Sequence, residues 1–359
     1  MFGEFADFQN TGVAWLSFGI CLLVILFTGI RLSRYGDIIA ARTGVGGIWV
    51  GLVLLAGVTS LPELVTGLSA IWVVDAPDLA VGSVLGSCVY NLMIIAVLDF
   101  IYRPGTIYSG IQHGHSISAG FGVVLLGAAA GAIFLQNRFP AIGIGPIGPY
   151  AIAAPVIYLI AMRSVFIFER RVDEVVVIVG LAERQVGAGE ARKRGLTRIS
   201  LLFTLNAVVL VVAATALPVI GEILAEAMGW EETFVGTIFL ALATSVPEVV
   251  IAVQAVRIGA VDLAIGGVLG SNLFDMLILA IEDVAYVQGP ILAAVSDQHV
   301  LTAIAALTMT GIAIVGLCSR PKARVFRTIG WASLGLLAVG VFSALVLFLL
   351  SSNTAAGVH

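Results

Sequence analysis

The sequence predicts an all-α polytopic membrane protein of about ten transmembrane helices, arranged as two inverted five-helix repeats. Three observations predict it: apolar runs of spanning length recur along the chain, its basic residues fall almost entirely on one side, and a pair of motifs occurs twice. Of 359 residues, 60% are hydrophobic and 11% charged, and the mean hydropathy is +1.09. Soluble domains carry about 25% charged residues. A soluble core cannot hide so much apolar surface, whereas lipid can. The 41 glycines fit, because small residues let membrane helices approach closely.

Apolar runs occupy 13–32, 46–73, 78–101, 116–136, 146–168, 199–225, 232–256, 262–287, 298–318 and 327–350. Each is close to the roughly 20 residues that cross about 30 Å of hydrocarbon. No basic residue precedes the first run in Met1-Phe-Gly-Glu-Phe-Ala-Asp7, so that span is expected to be retained rather than cleaved as a signal. A polar segment at 169–198, with Glu169-Arg170-Arg171 and Arg192-Lys193-Arg194, divides the chain. It leaves a first half at 1–168 and a second at 199–359. Cys21, Cys88 and Cys318 each fall in an apolar run with no CxxC pair, which suggests neither a disulfide framework nor a zinc site.

Counted over the loops after odd-numbered spans and their flanks, 17 of the 18 basic residues share one side, and only Arg138 lies opposite. Basic loops stay in the cytoplasm. This predicts an inner-membrane protein with both termini outside and the 169–198 loop inside. A wrong span count would scramble the bias, so it supports the count as well. The net charge of −4 says little beside this distribution.

The halves repeat one another. Ala56-Gly-Val-Thr59-Ser60-Leu-Pro62-Glu63 matches Ala241-Leu-Ala-Thr244-Ser245-Val-Pro247-Glu248 at five of eight positions. Asp78 to Asn91 matches Asp262 to Asp275 at eight of fourteen. The offsets are 185 and 184 residues. Five spans per half is odd, so the repeats cross the membrane in opposite senses. Transporters use inverted repeats to place equivalent helices face to face near the midplane.

Glu63 and Glu248 sit mid-span, where an ionisable group costs roughly 2.5–3.5 kcal/mol. No Lys or Arg lies within the second, third, seventh or eighth runs to pair with them, which makes a cation the natural partner. Pro62 and Pro247 remove a helical N–H and free backbone carbonyls, expected near Ala56 and Ala241. Thr59, Ser60, Thr244 and Ser245 add hydroxyls. Carboxylates, hydroxyls and carbonyls together suit a hard cation such as Ca²⁺, which takes six to eight oxygens at about 2.3–2.6 Å. The segments 86–91 and 270–275 supply a second wall. Ser87 with Asn91, and Ser271 with Asp275, are spaced i, i+4 and share one helical face. Gly86 and Gly270 read better as close-packing positions. Glu282 and Asp283 read as a solvated helix end rather than a cation-attracting mouth. His113 and His115 on one side and His299 on the other form no single metal site.

The paired Thr-Ser-x-Pro-Glu and Gly-Ser-x-x-x-Asn/Asp segments resemble the two alpha-repeats of the sodium/calcium exchanger family, within the calcium/cation antiporters. The resemblance implies a secondary active antiporter that exports Ca²⁺ as Na⁺ enters, without enzymatic activity, cofactor, nucleic-acid partner or obligate protein partner, and with membrane lipid around it. It implies an ion site made of Glu63, Glu248, Asp275, Asn91, Thr59, Thr244, Ser60, Ser245, Ser87, Ser271, Ala56 and Ala241. Asp275 is similar to the archaeal and K⁺-dependent branches, which keeps K⁺ in play as a third ion. Cys88 stands where the family commonly has Asn. The 169–198 loop is too short for a regulatory calcium-binding domain.

Three rivals stay open. A proton-coupled Ca²⁺ antiporter could use the same carboxylates, though that branch typically places Asn-Ala before its glutamate. A channel would not need exchange, and a membrane enzyme leaves the repeat unexplained. No His-Glu-x-x-His or Gly-x-Ser-x-Gly motif supports hydrolysis.

Overall fold

The computed structural model describes residues 11–43, 57–111, 114–139, 143–167, 195–321, 323–325 and 328–356. Ala56, His113, the basic 192–194 run and the first part of the expected second span lie outside these residues. Among the described residues, ten helices carry the fold, and each overlaps a predicted apolar run. They are α1 Thr11–Thr43, α2 Leu61–Ser69, α3 Pro77–Ile101, α4 His115–Gln136, α5 Pro149–Ile167, α6 Leu196–Met228, α7 Glu232–Arg257, α8 Val261–Ala285, α9 Gln298–Ser319 and α10 Trp331–Ala356. Among the described residues, nine are long and apolar enough to cross a membrane, and α2 with the π-helical turn Ala70–Val74 that follows it is shorter.

The helices fall into two groups. In one, α3, α4, α8, α9 and α10 pack on one another, with α2 and α7 on the flank of α3 and α8. In the other, α1 lies along α6. This pair has its own apolar cluster, in which Ala14, Phe18, Ile25 and Leu32 meet Leu210, Ala213, Ala214, Leu217 and Leu224. It touches the main body chiefly through α2 and α7. Pro218 inside α6 cannot donate to Ala214 O, four residues back. The Thr66 hydroxyl of α2 donates there instead at 3.4 Å, and Ser69 donates to Thr215 O at 2.8 Å. The carbonyl that the proline leaves free in one half thus becomes an anchor for the other.

The repeat is visible as crossed contacts. Asp99, at the end of α3, accepts the amides of Ile107 and Gly330, each at 2.7 Å. Asp283, at the end of α8, accepts Ile291 at 2.8 Å and Gly148 at 2.7 Å. Residues 99 and 283 are 184 apart, as are 107 and 291, and each carboxylate reaches into the opposite half. His299 Nε2 contacts Asp78 at 2.9 Å and His115 Nε2 contacts Asp262 at 3.1 Å, again 184 apart in both members. His115 and His299 are thus held separately, each by its own aspartate, and no common histidine site forms. The buried Asp283 side chain corrects the solvated helix end expected there: its two oxygens hold the backbone of two loops.

Candidate ion site

Two broken segments and two straight helices build the site. Pro62 falls in the first turn of α2, where a missing N–H breaks no helical bond, and the chain turns at Ser60 before it. Pro247 lies inside the helical stretch Ala241–Arg257 and leaves Ala243 O, four residues back, without its helical donor. Ala241 O, the carbonyl expected to line the site, receives the Thr244 hydroxyl at 3.2 Å. A π-helical turn, Gly236–Leu240, precedes it; such turns often mark functional segments.

Helix α3 comes unusually close to this turn. A Cβ on Gly86 would overlap Thr237 O and stand 2.7 Å from Ala241 Cβ, and one on Gly236 would stand 2.8 Å from Leu79 O. Gly86 is therefore the packing glycine its context predicted. Gly270 is not, because nothing lies within 4 Å of its Cβ position.

Glu63, Glu248, Asp275, Asn91, Thr59, Ser60, Thr244, Ser245, Ser87, Ser271 and Ala241 are all buried. Ser245 Oγ donates to Ser87 Oγ at 3.0 Å and lies 3.5 Å from Glu63 Oε1. Thr244 Oγ1 is 3.4 Å from Ser87 Oγ. The hydroxyls of the second repeat thus meet the serine and glutamate of the first. Across the centre, Asn91 Nδ2 donates to Asp275 Oδ2 at 3.2 Å, and Cys88 Sγ lies 3.8 Å from the same oxygen. Asn272, the repeat mate of Cys88, donates to Cys88 O at 3.3 Å.

The mirror-image hydroxyl chain is not made. Both Glu248 oxygens, Ser60 Oγ, Glu63 Oε2, Asn91 Oδ1 and Asp275 Oδ1 are buried without a hydrogen-bond partner. Unmatched buried oxygens on this scale call for a ligand or a proton, since each costs on the order of 1–3 kcal/mol if left alone. Among the described residues, no three His, Cys, Asp or Glu side chains alone could grip a metal ion, so an ion here would draw on hydroxyl, amide and carbonyl oxygens as well.

One acid escaped the reading from sequence. Glu282, expected at a solvated helix end, is fully buried with both oxygens unpartnered. Its signal was available: it lies seven residues after Asp275 and so shares its helical face.

A buried oxygen-lined centre between inverted helical segments defines a membrane cation transporter of the exchanger class, not an enzyme. The chain belongs to the sodium/calcium exchanger protein family, whose model matches residues 13–162 and 199–350. It is similar to the inner membrane protein YrbG of Escherichia coli, at 26% identity over 72% of this chain and 75% of the relative. A shorter match, 41% identical over 63 residues, covers 17% of this chain and 18% of the sodium/calcium exchanger MaX1 of Methanosarcina acetivorans. Among solved structures, native YfkE superposes with a TM-score of 0.61 at 17% identity, covering 95% of this chain and 97% of that one. The sodium-calcium exchanger NCX_Mj gives 0.55 at 17%, covering 92% and 97%.

Proposed function

We propose that this chain exchanges Na⁺ for Ca²⁺ by alternating access, with Ca²⁺ export driven by Na⁺ entry across the inner membrane. The observation that carries the reading is the contact of Ser245 with both Ser87 and Glu63. It joins the Thr-Ser-x-Pro-Glu segment of one repeat to the acid of the other. Hydroxyls beside a carboxylate offer neutral oxygens that a monovalent hard cation can share with a divalent one, which a pure carboxylate cluster would not. The local likeness to MaX1, itself named a sodium/calcium exchanger, supports the same choice.

Glu63, Glu248, Asp275, Asn91, Thr59, Thr244, Ser60, Ser245, Ser87 and Ser271 line the ion sites in this reading, with the carbonyls of Ala56 and Ala241. Residues 1–168 and 199–359 act as the two inverted halves, and 169–198 as a cytoplasmic linker, with both termini outside. The separately packed α1 and α6 form the element that slides to change access. Uncompensated carboxylates make the empty site slow to change access, which enforces exchange over leak.

A proton-coupled reading draws on the unpartnered Glu248 oxygens, which could take protons in place of Na⁺, and on the likeness to a protein named Ca²⁺/H⁺ antiporter YfkE. The deciding experiment is Ca²⁺ uptake into liposomes driven by an outward Na⁺ gradient with the pH gradient collapsed. Uptake supports Na⁺ coupling, and uptake that requires a pH gradient sinks it. Repeating the assay with and without K⁺ tests a requirement for that ion.

A further inference from the structure

Among the described residues, one buried acid outside the central site has no hydrogen-bond partner on either oxygen. Glu282 on α8 is fully buried, and neither carboxylate oxygen has a hydrogen-bond partner. No Lys or Arg lies between 57 and 101 or between 258 and 285 to neutralise it. Its neighbour Asp283 explains itself, since both oxygens hold loop amides. The repeat explains the contrast. Asp283 has Asp99 as its mate, whereas Glu282 has Leu98, a fully buried leucine. The fold therefore needs no acid at this position, and in one half it has none.

The position is specific. Glu282 follows Asp275 by two helical turns on the same face, about 10 Å further along the axis. On α2, Gly67 follows Glu63 by one turn, and a Cβ at Gly67 would overlap Glu282 Oε1. The carboxylate occupies a gap that only a glycine leaves open. Beyond it, Gln288 Nε2 donates to Asp75 Oδ1 at 2.9 Å, joining the end of the π-helical turn to the segment after α8.

We propose that Glu282 is a second cation station, whose carboxylate, seated in the gap left by Gly67, holds a transported cation as it passes between the central site and the face at the C-terminal end of α8. The proposal rests on the reading that the central carboxylates bind the transported cations. Because Leu98 fills the mirror position, the station serves one face only. A cation arriving from that face meets a carboxylate before it reaches Asp275, and one arriving from the opposite face does not.

The test uses the full chain in liposomes. Initial rates of Ca²⁺ flux are measured with Ca²⁺ presented at each face in turn, driven by whichever counter-cation gradient moves it. Glu282→Gln keeps the shape and removes the charge. Because an ion meets the station only from that face, loss of its charge should raise the apparent KM for Ca²⁺ about tenfold at the face nearest Glu282. At the other face it should stay within about twofold, a range below one decade of affinity. Glu282→Asp, which keeps the charge on a shorter stem, should give a smaller rise on the same face, and it stands in if the glutamine variant does not reconstitute. An unchanged KM at both faces, or an equal rise at both, overturns the proposal. Flux driven only by a pH gradient would overturn Na⁺ coupling and leave this one-sidedness intact.

Discussion

Asn91 and Asp275 stand at equivalent positions of the two repeats, 184 residues apart, and they touch: Asn91 Nδ2 donates to Asp275 Oδ2 at 3.2 Å. The symmetry relation between the halves therefore runs between these two side chains, and it is broken there chemically, amide against carboxylate. It is broken again around the glutamates. Glu63 lies within reach of the Ser245 hydroxyl, while Glu248 and Ser60, their mates, have no partner. Two equivalent sets of groups in two arrangements are what a pair of interconverting states would exchange between them.

Asp275→Asn removes one carboxylate while leaving an amide that can still accept from Asn91. Because the hydrogen bond survives, thermal unfolding in detergent should move little. A divalent ion at the centre loses more than a monovalent one when a charge is withdrawn. Ca²⁺ flux in liposomes is expected to fall at least about tenfold, equivalent to 1.4 kcal/mol, with Na⁺ affinity falling less. Equal losses for both ions would remove Asp275 from the selectivity of the site.

Asp99 and Asp283 are structural by the same geometry. Each accepts two backbone amides, one from its own half and one from the other. An asparagine has one acceptor oxygen, so Asp99→Asn or Asp283→Asn strands a buried N–H and loses a charge-assisted bond, costing about 2 kcal/mol or more. The two sites lie at the C-terminal ends of helices five spans apart, and so at opposite faces of the bundle. Their effects on unfolding should add to within about 0.5 kcal/mol. A strongly non-additive double variant would mean that the two caps are coupled through the core.

Much of this was legible in the sequence. Thr59-Ser60-x-Pro62-Glu63 and its repeat point to the candidate site directly, because intramembrane acids beside prolines and hydroxyls have few other uses. The spans were legible because membrane helices are apolar throughout. That uniformity also hid what remained. Hydropathy counts Glu282 and Asp283 as charges near a span end and predicts solvent there, whereas one holds loop amides and the other sits in a gap at Gly67. Gly86 and Gly270 look alike in sequence, yet the close approach of another backbone separates them, and no local pattern encodes that approach.

The two glycines give a sharp contrast. Gly86→Ala forces a methyl into Thr237 O and the Ala241 side chain, and backbone cannot swing aside as a side-chain tip can. Overpacking of this kind costs about 1–3 kcal/mol or more, and here it also pushes on the π-helical turn just before Thr244. Gly270→Ala meets nothing within 4 Å and replaces glycine by the best helix former, a gain of up to about 1 kcal/mol. Expression and melting temperature should drop for the first variant and hold or rise for the second. A tolerated Gly86→Ala would show that α3 and α7 can separate.

Gly29 tests the sliding of α1. It faces the main body at Pro247, whose Cγ and Cβ would lie 2.9 and 3.0 Å from an added methyl. The rest of α1 packs chiefly on α6 in its own apolar cluster. If α1 and α6 move together across the site, Gly29 must pass the proline ring next to Glu248. A methyl there would act as a ratchet tooth, while Gly19→Ala on the same helix, with nothing within 4 Å, serves as the control. Gly29→Ala should lower maximal Ca²⁺ exchange several-fold with an unchanged KM, because raising a barrier by about 1 kcal/mol slows turnover roughly fivefold without altering ion ligands. Gly19→Ala should leave both unchanged. If Gly29→Ala instead shifted KM alone, the contact with Pro247 would belong to the ion site, and the moving element would have to be sought elsewhere.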